Sequence, residues 1–254
     1  MLFDTHAHYD DRQFDPDREE LLSSMKENGV GYIVNAGCSI ESTKRGIALA
    51  EKYDFMYATA GIHPNCKADM TEEGFEEIKA LARHPKIRAI GEIGLDYYWD
   101  KVERNLQKEA FSRQILIADE LNLPFVIHTR DACGDTLDIL KSEYKGKGAL
   151  MHCFSESRET AKIVLDMGIK IAIGGTVTFK NNVRTVEAVR YIPLDALVIE
   201  TDAPYLSPEP NRGRRNSSLN IHYTAEKIAE IKGVSPALVE EITTKNAKEF
   251  YNIH

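Results

Sequence analysis

The sequence predicts a TIM (β/α)8 barrel formed as one domain over residues 1–254. Three observations lead there. About eight short apolar or β-branched runs recur along the chain, longer segments with helical periodicity and charged faces separate them, and no Gly/Ser/Pro-rich linker interrupts the series. Strict alternation implies parallel strands, because each crossover helix returns the chain to the same end of the sheet. Eight such units close most naturally into a barrel, a fold that commonly uses about 250 residues. The competing open doubly wound sheet usually carries a glycine-rich phosphate loop after its first strand, and here "THAHYDD" stands in that place.

The first run, "LFDTHAH" at 2–8, starts hydrophobic and then alternates as a strand does, and a helix is expected over 18–28. Strand 31–37 ("GYIVNAG") leads to helix 40–52, strand 56–63 ("MYATAGIH") to helix 72–84, and strand 88–94 ("RAIGEIG") to helix 104–121. Strand 125–130 ("FVIHTR") precedes helix 134–144, strand 149–154 ("ALMHCF") helix 157–167, and strand 169–175 ("IKIAIGG") helix 182–191. The eighth strand, 197–203 ("LVIETDA"), is followed by a final helical region from 222 onward, broken at 233–236 by glycine and proline.

Composition narrows the function classes. With 43% hydrophobic and 28% charged residues the chain reads as an ordinary soluble globular protein. No apolar run approaches the roughly 18 residues of a membrane span. A first strand beginning at residue 2 leaves no room for a signal peptide, so a cytoplasmic protein is expected. Cys38, Cys66, Cys133 and Cys153 form no C-x-x-C pair and are expected to be small buried hydrophobes. A net charge of −8 argues against nonspecific coating by nucleic acid and leaves room for a local basic site.

A barrel builds its active site at the C-terminal ends of its strands. His6 and His8 end the first run, and as residues i and i+2 of a strand they share a face, about 7 Å apart at Cα. Both rings can then reach one metal at about 2.1 Å. His63 ends the third run, Glu92 lies near the end of the fourth, His128 of the fifth and His152 of the sixth, and Asp202 ends the eighth. Taken singly, each has an ordinary structural explanation as a hydrogen-bonded strand-end histidine or a turn-capping carboxylate. Together they supply the N/O donor set of a binuclear centre holding two divalent ions, Zn, Mn, Mg or similar. Two ions about 3.5 to 4 Å apart need an anionic bridge, a role expected of Glu92. His6, His8, Glu92 and Asp202 are assigned to one ion, and His128, His152 and Glu92 to the other. His63 is expected beside the site, contacting either the substrate or a metal ligand, or else anchoring the loop before Pro64.

The motifs "FDTHAHYD", "GIHP", "GEIGLDYYWD", "HTRDA", "HCFS" and "ETDAPYLSP" together resemble the TatD-type metal-dependent deoxyribonucleases, within the wider amidohydrolase-like hydrolases. The resemblance runs essentially end to end. It implies a TIM barrel and divalent-cation-dependent cleavage of DNA phosphodiesters, often as a 3′-5′ exonuclease on single strands. It also places His6, His8, Glu92, His128, His152 and Asp202 on the family's ligand positions. Two segments depart from the family pattern: this chain reads "HCFSES" where the family often has "HCFSGS", and "RNSS" where it often has "RNEP". Glu156 thereby adds a negative charge near the expected phosphate.

Two divalent ions lower the pKa of a shared water towards about 7, and Asp202 is the expected acceptor of its proton, with Glu92 as the other catalytic carboxylate. The same chemistry serves a small-molecule amide, ester or lactone, which is the alternative substrate class. A non-catalytic, metal-stabilised binding protein is the other rival, and it predicts a closed coordination sphere. Phosphate is favoured by "PNRGRRNSS", where Arg212, Arg214 and Arg215 offer forked donors after the eighth strand. Arg130, on the same strand face as His128, is a further candidate for the scissile phosphate, and Tyr97, Tyr98 and Trp99 are candidates to stack bases or to pack as a lid. The resemblance implies single-stranded DNA as the partner, and no membrane and no obligatory protein partner are expected.

Overall fold

A computed structural model describes residues 1–99 and 101–254. Its strands are β1 (Leu2–Ala7), β2 (Val30–Asn35), β3 (Met56–Ala60), β4 (Ile87–Asp96), β5 (Phe125–Arg130), β6 (Ala149–Met151), β7 (Lys170–Ile173) and β8 (Leu197–Ile199). They follow one another in chain order in a single eight-stranded sheet, as a (β/α)8 fold requires. Its helices are α1 (Arg18–Ser23), α2 (Ile40–Lys52), α3 (Glu72–Leu81), α4 (Arg104–Leu121), α5 (Cys133–Glu143), α6 (Arg158–Asp166), α7 (Val183–Tyr191), α8 (Ile221–Lys232) and α9 (Pro236–Tyr251). Among the described residues no helix is long and apolar enough to cross a membrane. Contacts divide the chain into two compact units, one of residues 1–35, 152–166 and 170–254, the other of 36–151 and 167–169.

The first unit carries β1, β2, β7 and β8. Every residue of β1 is buried, including Asp4, Thr5 and His6. Phe3 stacks on Tyr32 (5.2 Å) and on Tyr251 of α9 (5.9 Å), whose hydroxyl donates to the Thr5 carbonyl at 2.9 Å. The α8–α9 break falls where expected: Gly233 ends α8 with φ 68°, and Ser235 caps α9 by accepting from the Leu238 amide before Pro236. The helix expected over 18–28 is shorter. It stops at Ser23, and a tighter turn over 26–28 closes on Gly29 at φ 84°, which drops the chain into β2.

The second unit carries β3 to β6 with α2 to α5. Ser39 and Thr71 cap α2 and α3, accepting from the amides of Ser42 and Gly74. Two buried glutamines of α4 fix the loops that follow β3 and β4. Gln114 exchanges hydrogen bonds with both backbone groups of Ile62, at 2.7 and 3.0 Å. Gln107 accepts from the Asp96 amide (2.8 Å) and donates to the carbonyls of Asp96 (3.1 Å) and Val102 (2.9 Å). β4 therefore extends two residues past its expected end at Gly94. At Gly94, with φ 141°, an added Cβ would lie 2.0 Å from the His128 carbonyl oxygen, so only glycine lets β4 and β5 approach this closely. The four cysteines, expected to be buried, are half-buried and form no disulfide among the described residues.

Candidate metal centre

In the first unit, the chain after β8 joins β1 by backbone bonds that place three donors together. The Asp202 amide donates to the His6 carbonyl (2.9 Å) and the His8 amide to the Ala203 carbonyl (2.6 Å). Asp202, held in the left-handed region at φ 56°, then turns its Oδ1 to 3.3 Å from His8 Nε2 and 3.7 Å from His6 Nε2. The two imidazole Nε2 atoms are 3.3 Å apart. His152 stacks on His6 at 4.0 Å between ring centroids, nearly parallel at 11°. Burial pushes the Asp202 carboxyl up, but the His8 hydrogen bond and the charges of His8, His6 and His152 outweigh it and hold the group below its ordinary pKa.

Two buried carboxylates brace this group from behind. Asp4 accepts from the His6 and Thr201 amides (3.3 and 2.9 Å) and from the Thr201 and Ser218 hydroxyls (2.5 Å each), tying β1 to the segments after β8. Its desolvation nevertheless raises the carboxyl to about 7. Glu200 accepts from the Cys153 amide at 2.7 Å and lies 3.6 Å from His152 Nδ1.

In the second unit, His128 Nδ1 lies 2.6 Å from Glu92 Oε1, while its Nε2 lies 3.3 Å from Asp96 Oδ2. Both ring nitrogens thus face carboxylates, which only accept; with the ring proton on Nε2 toward Asp96, the Nδ1 lone pair faces Glu92, the arrangement a metal ligand needs. Burial raises the Asp96 carboxyl, but the His128 contact, the Trp99 amide and Asn65 bring it down to about 2. His63 is arranged the opposite way. Its Nδ1 accepts from the Asn65 amide at 3.1 Å, so a neutral ring carries its proton on Nε2, 3.7 Å from Glu92 Oε1. The Cys38 thiol donates to Glu92 Oε2 at 3.6 Å.

These donors suit a divalent ion. The ligand atoms of His6, His152 and Asp202 lie within 4.8 Å of one another, as do those of His63, Glu92 and His128. All are imidazole nitrogens or carboxylate oxygens, the set favoured by Zn²⁺ and Mn²⁺. His128 Nδ1 and Glu92 Oε1 lie 2.6 Å apart, joined by a proton on Nδ1 or, when that proton leaves, both aimed at one place where a cation can be held. Asp4, Asp96 and Glu200 had no assigned role in the sequence reading, although each lies inside a quoted motif.

The remaining candidates fall into distinct settings. Arg215 forms a two-pronged ion pair with Asp17 (2.5 and 2.8 Å), donates to the Gln13 carbonyl and covers the Phe14 ring. Arg212 lies over Phe179 at 4.3 Å, and Arg214 is exposed. Arg130 is exposed and lies over Tyr98. Glu156 forms an ion pair with Arg184, which neutralises the charge that the "HCFSES" departure introduces.

The family model described as "TatD related DNase" matches residues 3–252. The chain is 46% identical to an uncharacterized metal-dependent hydrolase, YabD, of Bacillus subtilis over 100% of both chains. It is 32% identical to the "3'-5' ssDNA/RNA exonuclease TatD" of Cronobacter sakazakii, over 98% of this chain and 97% of that protein. The crystal structure of YjjV, a TatD homologue from Escherichia coli K12, superposes with a TM-score of 0.94 at 28% identity, covering 100% of this chain and 98% of that one. The expected TIM barrel is thus the fold, and the chain belongs to the TatD-related DNase family of metal-dependent hydrolases.

Proposed function

We propose that this hydrolase cleaves phosphodiesters of single-stranded DNA from the 3′ end, with two divalent ions in one domain spanning residues 1–254. The observation that carries the reading is the gathering of imidazole nitrogens and carboxylate oxygens within 4.8 Å of one another, His6, His152 and Asp202 in one cluster and Glu92 and His128 in the other, the latter ring backed by Asp96 as ligating histidines commonly are. The DNA half is supported by the name of the Cronobacter relative.

In this reading His6, His8, His152, Asp202, Glu92 and His128 would hold the ions, with Glu92 the carboxylate that would serve both. Bound divalent ions supply positive charge to the phosphate and make an attacking water more acidic. Asp202 is anionic at neutral pH and accepts the water's proton on its carboxylate. His63 offers its Nε2–H to a non-bridging phosphate oxygen, and Arg130 offers a forked cation. Arg212 and Arg214 are assigned outlying phosphate contacts. Arg215, tied to Asp17, acts by fixing that loop.

The test is a 5′-labelled single strand incubated with Mn²⁺ or Mg²⁺, beside a panel of amides, esters and lactones. The reading predicts a ladder that shortens from the 3′ end and vanishes with EDTA. Robust hydrolysis of a small amide or lactone with no cleavage of DNA contradicts it.

A further inference from the structure

We infer that Tyr98, Trp99 and Arg130 form a stacking subsite for the bases of a single-stranded DNA substrate, an inference that rests on the phosphodiesterase reading above. Large aromatic side chains normally bury 150–250 Å² each in a core or interface. Tyr98 and Trp99 instead stand 54% and 51% exposed, side by side, with ring centroids 5.0 Å apart at 87°. Their neighbour Tyr97 shows what a packing role looks like: its hydroxyl donates to Asp135 at 2.6 Å and Arg104 covers its ring. Among the described residues no side-chain hydrogen bond ties down the other two rings, and their contacts are with each other and with cations.

Cations accompany the exposed pair. The Arg130 guanidinium lies 3.9 Å from the Tyr98 centroid and 5.6 Å from that of Trp99, and Lys101 Nζ lies 5.1 Å from Trp99. Among the described residues no carboxylate is paired with Arg130. Flat aromatic faces beside cations complement a chain that alternates flat bases with anionic phosphates.

The subsite is also held in place before any ligand arrives. Asp96 and Arg130 are paired across β4 and β5, and the Tyr97 amide donates to the Arg130 carbonyl at 2.9 Å. The amides of Tyr98 and Trp99 donate to Asp96 Oδ1 (3.0 and 3.2 Å). Oδ2 of that same carboxylate faces His128 and Asn65. One side chain thus fixes both the aromatic turn and a proposed metal ligand, so a base stacked here sets where its phosphate lies relative to His128. A rigid aromatic platform loses little conformational freedom on binding.

Trp99 is the sole tryptophan of the chain, so its emission reports on this place alone. The wild-type protein with Mg²⁺ is titrated with a cleavage-resistant phosphorothioate oligothymidylate and with an abasic oligonucleotide of equal length. The expected result is saturable quenching by the first and not by the second, with half-saturation raised about ten-fold in Tyr98→Ala and Arg130→Ala, in the range set by losing one stacked base. In parallel, Trp99→Ala is expected to raise KM for a normal single strand about ten-fold, Trp99→Phe to restore it, and neither to change cleavage of the abasic strand. Equal quenching by both ligands, or an unchanged KM in Trp99→Ala, overturns the subsite while leaving the phosphodiesterase reading standing. Absence of cleavage of either strand overturns the phosphodiesterase reading, whatever the emission shows.

Discussion

Asp96 acts through both oxygens: one holds the amides of the 97–99 turn, the other faces His128 Nε2. Asp96→Asn replaces the anionic acceptor beside His128 Nε2 with a neutral amide, so the ring loses the carboxylate that orients it. We predict a 10- to 100-fold loss, by analogy with carboxylates behind metal-ligating histidines, in the Mn²⁺ concentration dependence of activity. At Asp4, four donors converge on one buried carboxylate. Asp4→Ala is predicted to cost about 3 kcal/mol or more in urea unfolding, because it strands buried hydroxyls and amides. An unchanged midpoint would remove Asp4 from the account. The sequence made the ligand histidines legible, since each sits at the end of an apolar run. It could not reveal Asp4, Asp96 or Glu200 as braces: what matters is which oxygen meets which nitrogen, across separations such as the 32 residues between Asp96 and His128.

Among the elements, α4 was predicted with its observed limits, but its main contribution was not. Periodicity treats glutamine as a solvent-facing residue, whereas Gln107 and Gln114 are buried and bind backbone groups of the loops after β4 and β3. Gln114→Leu is predicted to destabilise by about 1–3 kcal/mol through the unpaired Ile62 groups. Gln107→Leu is predicted to do the same and also to lower kcat, because it releases the backbone of Asp96. Equal kcat in both variants would contradict that link. α1 ends early because the chain must turn at Gly29 into β2, a constraint that side-chain pattern does not encode. The Asp17–Arg215 pair joins the start of α1 to the loop after β8, and the Arg215 hydrogen bond and charge hold Asp17 below its ordinary pKa. A depressed folded-state pKa contributes stability above the unfolded value of 3.8, lost as pH falls through the folded one. Asp17→Asn is therefore expected to lower the melting temperature slightly at pH 7, consistent with at most about 1 kcal/mol for an exposed pair, and to converge with wild type in acid.

At the scale of the whole molecule, alternation of strand and helix announced the barrel, because eight parallel strands leave few ways to bury both faces of a sheet. The register within β4 and β5, and the glycine that permits it, emerge only when the strands are paired. The donors likewise come from distant parts of the sequence, from His6 to Asp202. An ion that binds the folded chain alone stabilises it by mass action, so saturating Mn²⁺ or Zn²⁺ is predicted to raise the melting temperature of stripped protein. The most direct test is the metal content and DNA cleavage of one sample, measured after exhaustive chelation and again after reconstitution. The account predicts loss of activity with the metal and recovery at two ions per chain, with Glu92→Gln failing to recover. Full cleavage by the metal-free protein, or by Glu92→Gln, would contradict it.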